Sequence, residues 1–343
     1  MPKKFHMTHK PGWKGPSLKE IARLAGVGTA TADRVLNNRG GVREKTRTQV
    51  LAALEKLSQD TVRSDAILDI RLFCESGETF NAMLEQAQTE VNRSLPGVRV
   101  HGTFVTTSLV DPMVLARQME QDGAVADGVI VVAREHPAIN RAIRKLCGAG
   151  IPVACLTSDL PSSRRGTYVG NDQYAAGSVA AVLIGNGLPR ERNNILIVVS
   201  APFRSQQERE MGCRRVLRAD FPHLKIEERV ISNDDPEATR DQLLKYFETN
   251  GVPAAIYNVA GANRGVAKAL EDVGKQHKTI FIGHELSHHS RALLESGHMD
   301  YVISHDFAAE LASAAQWVRS ARDGVSAPPA HSQILVHTRY NCG

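Results

Sequence analysis

The chain lacks the marks of several large protein classes. It has five cysteines, Cys74, Cys147, Cys155, Cys213 and Cys342, with no CxxC pair among them. An odd, scattered set argues against a disulfide framework or a cysteine-rich zinc site and fits a reducing cytoplasm. Aromatic residues are 5% of the 343. The longest apolar runs are short, such as Val129–Ala133 and Ile195–Val199, whereas a bilayer span needs roughly 18 residues. No membrane partner is therefore expected. Met1–Pro16 carries Lys3, Lys4, Lys10 and Lys14 with no apolar stretch after them, so it does not read as a secretory signal. There is no P-loop, no GxSxG elbow and no GxGxxG after a strand, so the common motif-bearing enzyme classes gain no support, and no cofactor is expected.

What is present is a globular composition, 42% hydrophobic, long enough for two or three domains. Charge is unevenly placed. The net +5 is the balance of +7 in residues 1–60 and −2 in the remaining 283. A small basic module on a near-neutral body points to a polyanion partner for the module alone.

That module reads as three short helices. Ser17 and Glu20 have capping-box spacing ahead of an apolar stripe, Leu18, Ile21, Ala22 and Leu24–Ala25. Gly26 stops the helix, since glycine accepts the left-handed conformation. A second helix starts at Gly28 or Thr29, carries Thr31, Ala32, Val35 and Leu36, and ends near Asn37–Asn38. A third begins around Arg43–Thr46 and ends at Leu57, with Val50, Leu51, Leu54 and Leu57 on one face. Two helices joined by a tight glycine turn are the geometry that lays a helix in the DNA major groove. Thr29, Ala30 and Arg34 project from the second helix, and arginine suits guanine O6 and N7. Lys45 and Thr46 stand where a helix start holds phosphate.

Residues Ser17–Asn37 resemble the DNA-binding motif of the LacI/GalR family of bacterial regulators, with about a dozen positions in register. Gly41-Val42-Arg43-Glu44-Lys45-Thr46-Arg47 is similar to that family's opening of the third helix. The resemblance implies that Thr29 and Ala30 read bases with Arg34 beside them, and that Leu18, Thr31, Asn37, Lys45 and Thr46 complete the DNA-binding set. Gly28 and Asp33 stand where the family usually has serine, so no operator sequence carries over. The family's hinge segment, Tyr-x-Pro-Asn-x-x-Ala-Arg, wedges an apolar side chain into the minor groove. Here residues 58–67 have no Tyr, Pro or Asn, and Asp60, Asp65 and Asp69 add acids that repel phosphate. Three readings follow: no hinge helix, a different one that inserts Ile67 or Leu68, or a plain linker.

From Leu68 onward strand and helix patterns alternate. Strands are expected at 68–73, 98–104, 128–133, 152–156, 194–199, 225–231, 254–258, 279–283 and 332–339. Helices are expected at 80–91, 112–121, 139–148, 171–187, 205–220, 237–250, 264–273 and 287–296. Right-handed βαβ crossovers make this an α/β body with two doubly wound parallel sheets. It resembles the two-lobed type I periplasmic-binding-protein fold. The expected division is a basic tail (1–16), a helix-turn-helix domain (17–57), a linker or atypical hinge (58–67) and a ligand-binding domain (68–343). Its first lobe takes about 68–168 and 304–330, its second about 169–303 and 331–343.

Ligands in open α/β sheets sit beyond the carboxyl ends of strands. Polar and aromatic residues there are the candidates: Glu75 and Phe80; Ser158 and Asp159, after Thr157; Arg209, in a segment similar to the family's R-x-x-G; Asn258; His284 and Glu285; His305 and Asp306. Asp, Asn and Arg exchange hydrogen bonds with adjacent hydroxyls, and an aromatic stacks on a sugar face. Glu285 for Asp and His284 for an aromatic point to an unusual ligand, charged or nitrogenous.

His284-Glu285-Leu286-Ser287-His288 matches the HExxH zinc-hydrolase pattern. That chemistry needs both histidines one turn apart on one helix, whereas His284 falls in a loop straight after a strand. No metal is therefore expected. The reading is a cytoplasmic, homodimeric, DNA-binding regulator and not an enzyme. Repression is implied by family habit. The operator is palindromic double-stranded DNA, and a small sugar, polyol or sugar conjugate is the effector. A zinc hydrolase and a transport-type sugar-binding protein are the rivals.

Overall fold

The protein was analysed as a computed structural model, which describes residues 16–37, 39–65, 67–227, 229–232, 234–325 and 327–343, with the backbone alone over 58–65. Residues to Leu68 and Asp69–Gly343 form separate units. The basic tail lies outside the described residues, Pro16 excepted.

In the first unit, α1 (Leu18–Leu24) begins at a closed capping box. The Ser17 hydroxyl accepts the Glu20 amide at 3.3 Å, and Glu20 Oε2 accepts the Ser17 amide at 2.8 Å. Gly26, at φ +66, turns the chain into α2 (Thr29–Leu36). Ile21, Ala22, Ala32, Val35, Val50 and Ala53 close the core against α3 (Glu44–Asp65). This third helix does not end at Leu57. It runs 22 residues, through most of the segment expected as linker or hinge. Nothing from 44 to 65 is glycine or proline, so no residue forces a break. Ile67 is exposed, while Leu68 is buried at the first position of the next strand, which removes it as a wedge.

The body's first sheet comes from β1 (Leu68–Ser76), α4 (Glu78–Ser94), β2 (Val98–Thr106), α5 (Pro112–Gly123), β3 (Gly128–Val132), α6 (Pro137–Gly148), β4 (Val153–Leu156) and β5 (Thr167–Val169). Its order is β2-β1-β3-β4-β5. β3 is buried at all five positions, as a parallel strand covered on both faces must be. The chain then crosses to α7 (Gln173–Gly187), β6 (Asn193–Val199), α8 (Arg204–Asp220), β7 (Leu224–Ile226), β8 (Val230–Ile231), α9 (Pro236–Asn250), β9 (Ala255–Asn258), α10 (Asn263–Asp272), β10 (Ile280–His284), α11 (His288–Ser296) and β11 (Tyr301–Ser304). α12 (Phe307–Arg322) returns to pack on α4 and the first sheet, and β12 (Leu335–His337) rejoins the second, antiparallel to β11. The second order is β12-β11-β10-β9-β6-β7 with β8 beside β6, so both lobes repeat one topology. The α/β fold with its helical module is as expected.

Local differences have physical causes. The strand expected over 225–231 is broken into β7 and β8, which pair with β6 separately, at Asn193–Ile195 and at Val198–Val199. The strand expected over 332–339 shrinks to β12, since residues 338–341 form a turn in which Asn341 takes the Thr338 amide. β5, β11 and α12 were not among the expected elements. α7 and α8 meet backbone to backbone. A Cβ on Gly177 would lie 1.8 Å from the Arg209 carbonyl oxygen, and one on Gly212 would lie 2.0 Å from that of Tyr174. The R-x-x-G spacing thus has a structural reason. Gly212 lets α8 touch α7, and that contact holds Arg209 in place.

Candidate DNA-reading surface and ligand cleft

On α2 the buried face is Ala32 and Val35. Thr29, Ala30 and Arg34 are exposed and Thr31 half-buried, so the side chains expected to read bases are displayed together. Leu18 and Lys45 are also exposed; Thr46 is half-buried. Gly28 gives α2 no side-chain cap, which leaves its first amides for an acceptor such as phosphate. Asp33 is paired with Arg39 at 3.0 Å and accepts the Asn37 amide group at 2.7 Å. The acid is thereby compensated within the module, and Asn37 is turned towards it rather than offered outward.

In the body, the carboxyl ends of the strands converge on a cleft of about 200 Å³ between the lobes. Phe80, Thr107 and Ser158 line it from the first lobe, and Phe203, Arg209, Asp234, His284 and Glu285 from the second. The Ser205 amide reaches the Ser158 hydroxyl at 3.4 Å from one lobe to the other. Four of the five non-glycine residues at positive φ among the described residues line this cleft: Thr157 (59°), Asp234 (58°), Ala262 (62°) and Glu285 (67°). Such conformations cost about 1–3 kcal/mol each and collect at functional sites.

Arg209 and Glu285 form the centre. Arg209 is buried; its Nε donates to Gln173 at 2.6 Å, Nη1 to the Val259 carbonyl at 3.1 Å, and Nη2 to Glu285 Oε1 at 3.1 Å. Burial pushes the Glu285 pKa up, but His305 and then Arg209 outweigh it and hold the carboxyl down at about 2. His284 Nε2 lies 2.7 Å from the Tyr257 hydroxyl. Burial, with Arg209 nearby, keeps this imidazole neutral, and burial keeps the Tyr257 proton on, so the contact joins two uncharged groups. The Thr107 and Thr157 hydroxyls are buried with no hydrogen-bond partner, and Glu285 Oε2 faces His305 Nε2 at 3.5 Å.

Of the ten candidates, Phe80, Ser158, Arg209, His284 and Glu285 line the cleft. The other five are engaged elsewhere. Glu75 is buried against Arg134 at 2.5 Å. Asp159 is gripped by Arg165 through both oxygens at 2.5 and 2.6 Å. Asn258 donates to Gly261 and Asn263 at 2.6 and 2.7 Å. His305 lies between Glu285 and Glu310, and Asp306 caps α12. Each is at a strand end, as expected, but its side chain serves the fold. Thr157, reached after β4, lines the cleft as well; Asp234 and Thr107 also line it and were not among the candidates. Asp234 follows the short strand β8 and accepts from Ser200 at 2.9 Å and Gly261 at 2.8 Å. The strand-end rule, applied after β2 and β8, points to both Thr107 and Asp234.

The HExxH segment has the wrong geometry for zinc. His284 is the last residue of β10, not a loop residue, and Ser287 caps α11, which His288 opens. The two histidines are therefore on different elements.

Residues 17–58 match the family model for bacterial regulatory proteins of the lacI family, and residues 81–324 that for a periplasmic binding protein domain. The chain is 26% identical to the ribose operon repressor of Bacillus subtilis (strain 168) over 249 residues, 70% of this chain and 72% of that protein. It is 52% identical over 40 residues to the HTH-type transcriptional regulator TreR of Salmonella typhimurium, 12% of this chain and 13% of TreR, so that likeness concerns the first domain alone. A solute-binding protein from Burkholderia graminis, solved in complex with D-arabinose, superposes with a TM-score of 0.74 at 17% identity, over 81% of this chain and 97% of that one, and shows the shared fold. The chain belongs to the LacI family of bacterial regulatory proteins, with a lacI-type DNA-binding domain at residues 17–58 and a periplasmic binding protein domain as its body.

Proposed function

We propose that this protein is a cytoplasmic, homodimeric transcriptional repressor whose hold on a palindromic operator is set by a small neutral sugar or polyol in the cleft. The observation that carries the ligand class is the Arg209–Glu285 pair at the cleft centre. The guanidinium charge is compensated there, which disfavours a phosphosugar, while the unpaired Thr107 and Thr157 hydroxyls and the remaining acceptor capacity of the Glu285 carboxylate suit a ligand rich in O–H groups. Phe80 offers a ring face and His284 a neutral imidazole. The ribose operon repressor named above agrees with this class. We assign no catalytic step. Glu285, the base that HExxH chemistry requires, is held ionised by two cations and is a poor proton acceptor.

A ligand touching both lobes favours one lobe arrangement, and operator affinity changes by no more than its preference for that arrangement. The test is operator binding by fluorescence anisotropy at two salt concentrations, with D-ribose, D-arabinose, D-allose, myo-inositol and ribose 5-phosphate. The expected result is sequence-selective binding that a neutral compound changes about tenfold and the phosphate ester leaves alone. Sequence-blind, salt-erased binding overturns the repressor reading; a response to the phosphate ester alone overturns the ligand class.

A further inference from the structure

Glu285 has a second side, away from Arg209. Its Oε2 lies 3.5 Å from His305 Nε2, and His305 Nδ1 lies 2.8 Å from Glu310 Oε2. Glu310 Oε1 accepts a short hydrogen bond from the Ser332 hydroxyl. The Ser332 amide donates to the Gly170 carbonyl at 3.1 Å. The side chains of His305 and Glu310 are 0% and 1% exposed, so each ion depends on its neighbours in the chain for compensation.

The positions matter as much as the contacts. Arg209 is on α8 and Glu285 follows β10, both in the second lobe. His305 sits where the chain passes from β11 to α12. Glu310 is in the first turn of α12, in the first lobe. Ser332 is on the return from α12 to β12, and Gly170 on the passage from β5 to α7. One buried line of alternating charge therefore runs from the cleft to all three crossovers between the lobes. Rotating one lobe against the other about those crossovers must rearrange it.

We propose that His305 and Glu310 are positioning residues that set the angle between the lobes and carry the state of Glu285 in the cleft to the crossovers. His305 thus acts behind the ligand rather than on it. A ligand hydroxyl donating to Glu285 competes with His305 for the carboxylate. The imidazolium then shifts its weight to Glu310, and Glu310 its grip on Ser332. The first half of this inference stands without any ligand; the second rests on the cleft being the effector site.

The experiment uses the full chain with no ligand. Spin labels at Leu109→Cys and Ile231→Cys, exposed positions in the first and second lobe, report the separation across the cleft in a Cys147→Ser background. Glu310→Gln and Ser332→Ala are compared with the parent, with circular dichroism and melting temperature as checks on folding. Ser332→Ala removes no charge, so it keeps the test open where Glu310→Gln does not fold. The expected result is a mean separation moved by more than about 2 Å, or a second population, in the folded variants. Unchanged separation in folded Ser332→Ala and Glu310→Gln overturns the proposal. Operator binding does not enter this measurement. A shift in separation together with no sugar response refutes the effector reading alone.

Discussion

Gly177→Ala tests the link between helix packing and the cleft. The added Cβ falls 1.8 Å from the carbonyl oxygen of Arg209 and 2.6 and 2.8 Å from its carbonyl carbon and Cα. All three are backbone atoms, so no side-chain rotation relieves the overlap. An ordinary contact begins at 3.4 Å, and α7 and α8 must part by about 1.5 Å in a tightly packed interior. Overpacking of this kind costs about 1–3 kcal/mol. For a body of this size that is a fall of about 2–6 °C in melting temperature. The displacement falls on Arg209 itself, whose bonds to Val259 and Glu285 are both 3.1 Å and have no slack. The assay is thermal unfolding of the full chain, followed by titration of whichever sugar or polyol alters operator binding, with about a tenfold weaker response expected. Gly148→Ala is the control: it ends α6 with nothing within 4 Å of an added Cβ, and should leave stability unchanged or slightly raised. A Gly177→Ala protein that melts within a degree of the parent and responds equally would refute the close approach and the role given to it.

Three other outcomes are expected. His305 has its pKa raised to about 10 from an ordinary 6.5: burial opposes its charge, but Glu310 and Glu285 prevail, with Arg209 and neutral His284 as the other groups around Glu285. A raised pKa gives stability that is full below 6.5 and lost as pH climbs to 10; the lowered pKa of Glu285 gives stability that is full above 4.5 and lost as pH falls to 2. Melting temperature should therefore peak between these limits, and His305→Gln should flatten the alkaline limb; an unaltered limb refutes the assignment. Arg34→Ala should cost roughly 1–3 kcal/mol on the operator and little on random DNA, while Lys45→Ala should weaken both alike and lower the salt slope by about one; anisotropy at a series of salt concentrations separates them. Ser17→Ala should cost about 1 kcal/mol by opening the α1 capping box, read as faster amide exchange in α1 with the body's melting unchanged.

What the sequence made legible divides along a physical line. The capping box at Ser17–Glu20, the turn at Gly26 and the apolar run of β3 depend on neighbours a few residues apart, and each is found where local pattern puts it. The failures at α3 and at β7–β8 are also local. A break was expected from what a family's hinge contains, when the residues present between 44 and 65 contain nothing that ends a helix. In the cleft the limit is different. Strand-end polarity locates a site, but it does not say whether a carboxylate faces the opening or a cation from elsewhere in the chain. Asp159 and Arg165 are six residues apart and their pairing is open to a guess. Glu75 meets Arg134 only because β1 and β3 are adjacent in the sheet, and His305 meets Glu285 and Glu310 only because the chain changes lobes between them. Those long-range pairings engage Glu75 and His305, while Asp159, Asn258 and Asp306 are held by near neighbours, so half of the expected set is bonded within the fold. The long-range pairings also supply the buried charges through which the remaining half can act on the fold.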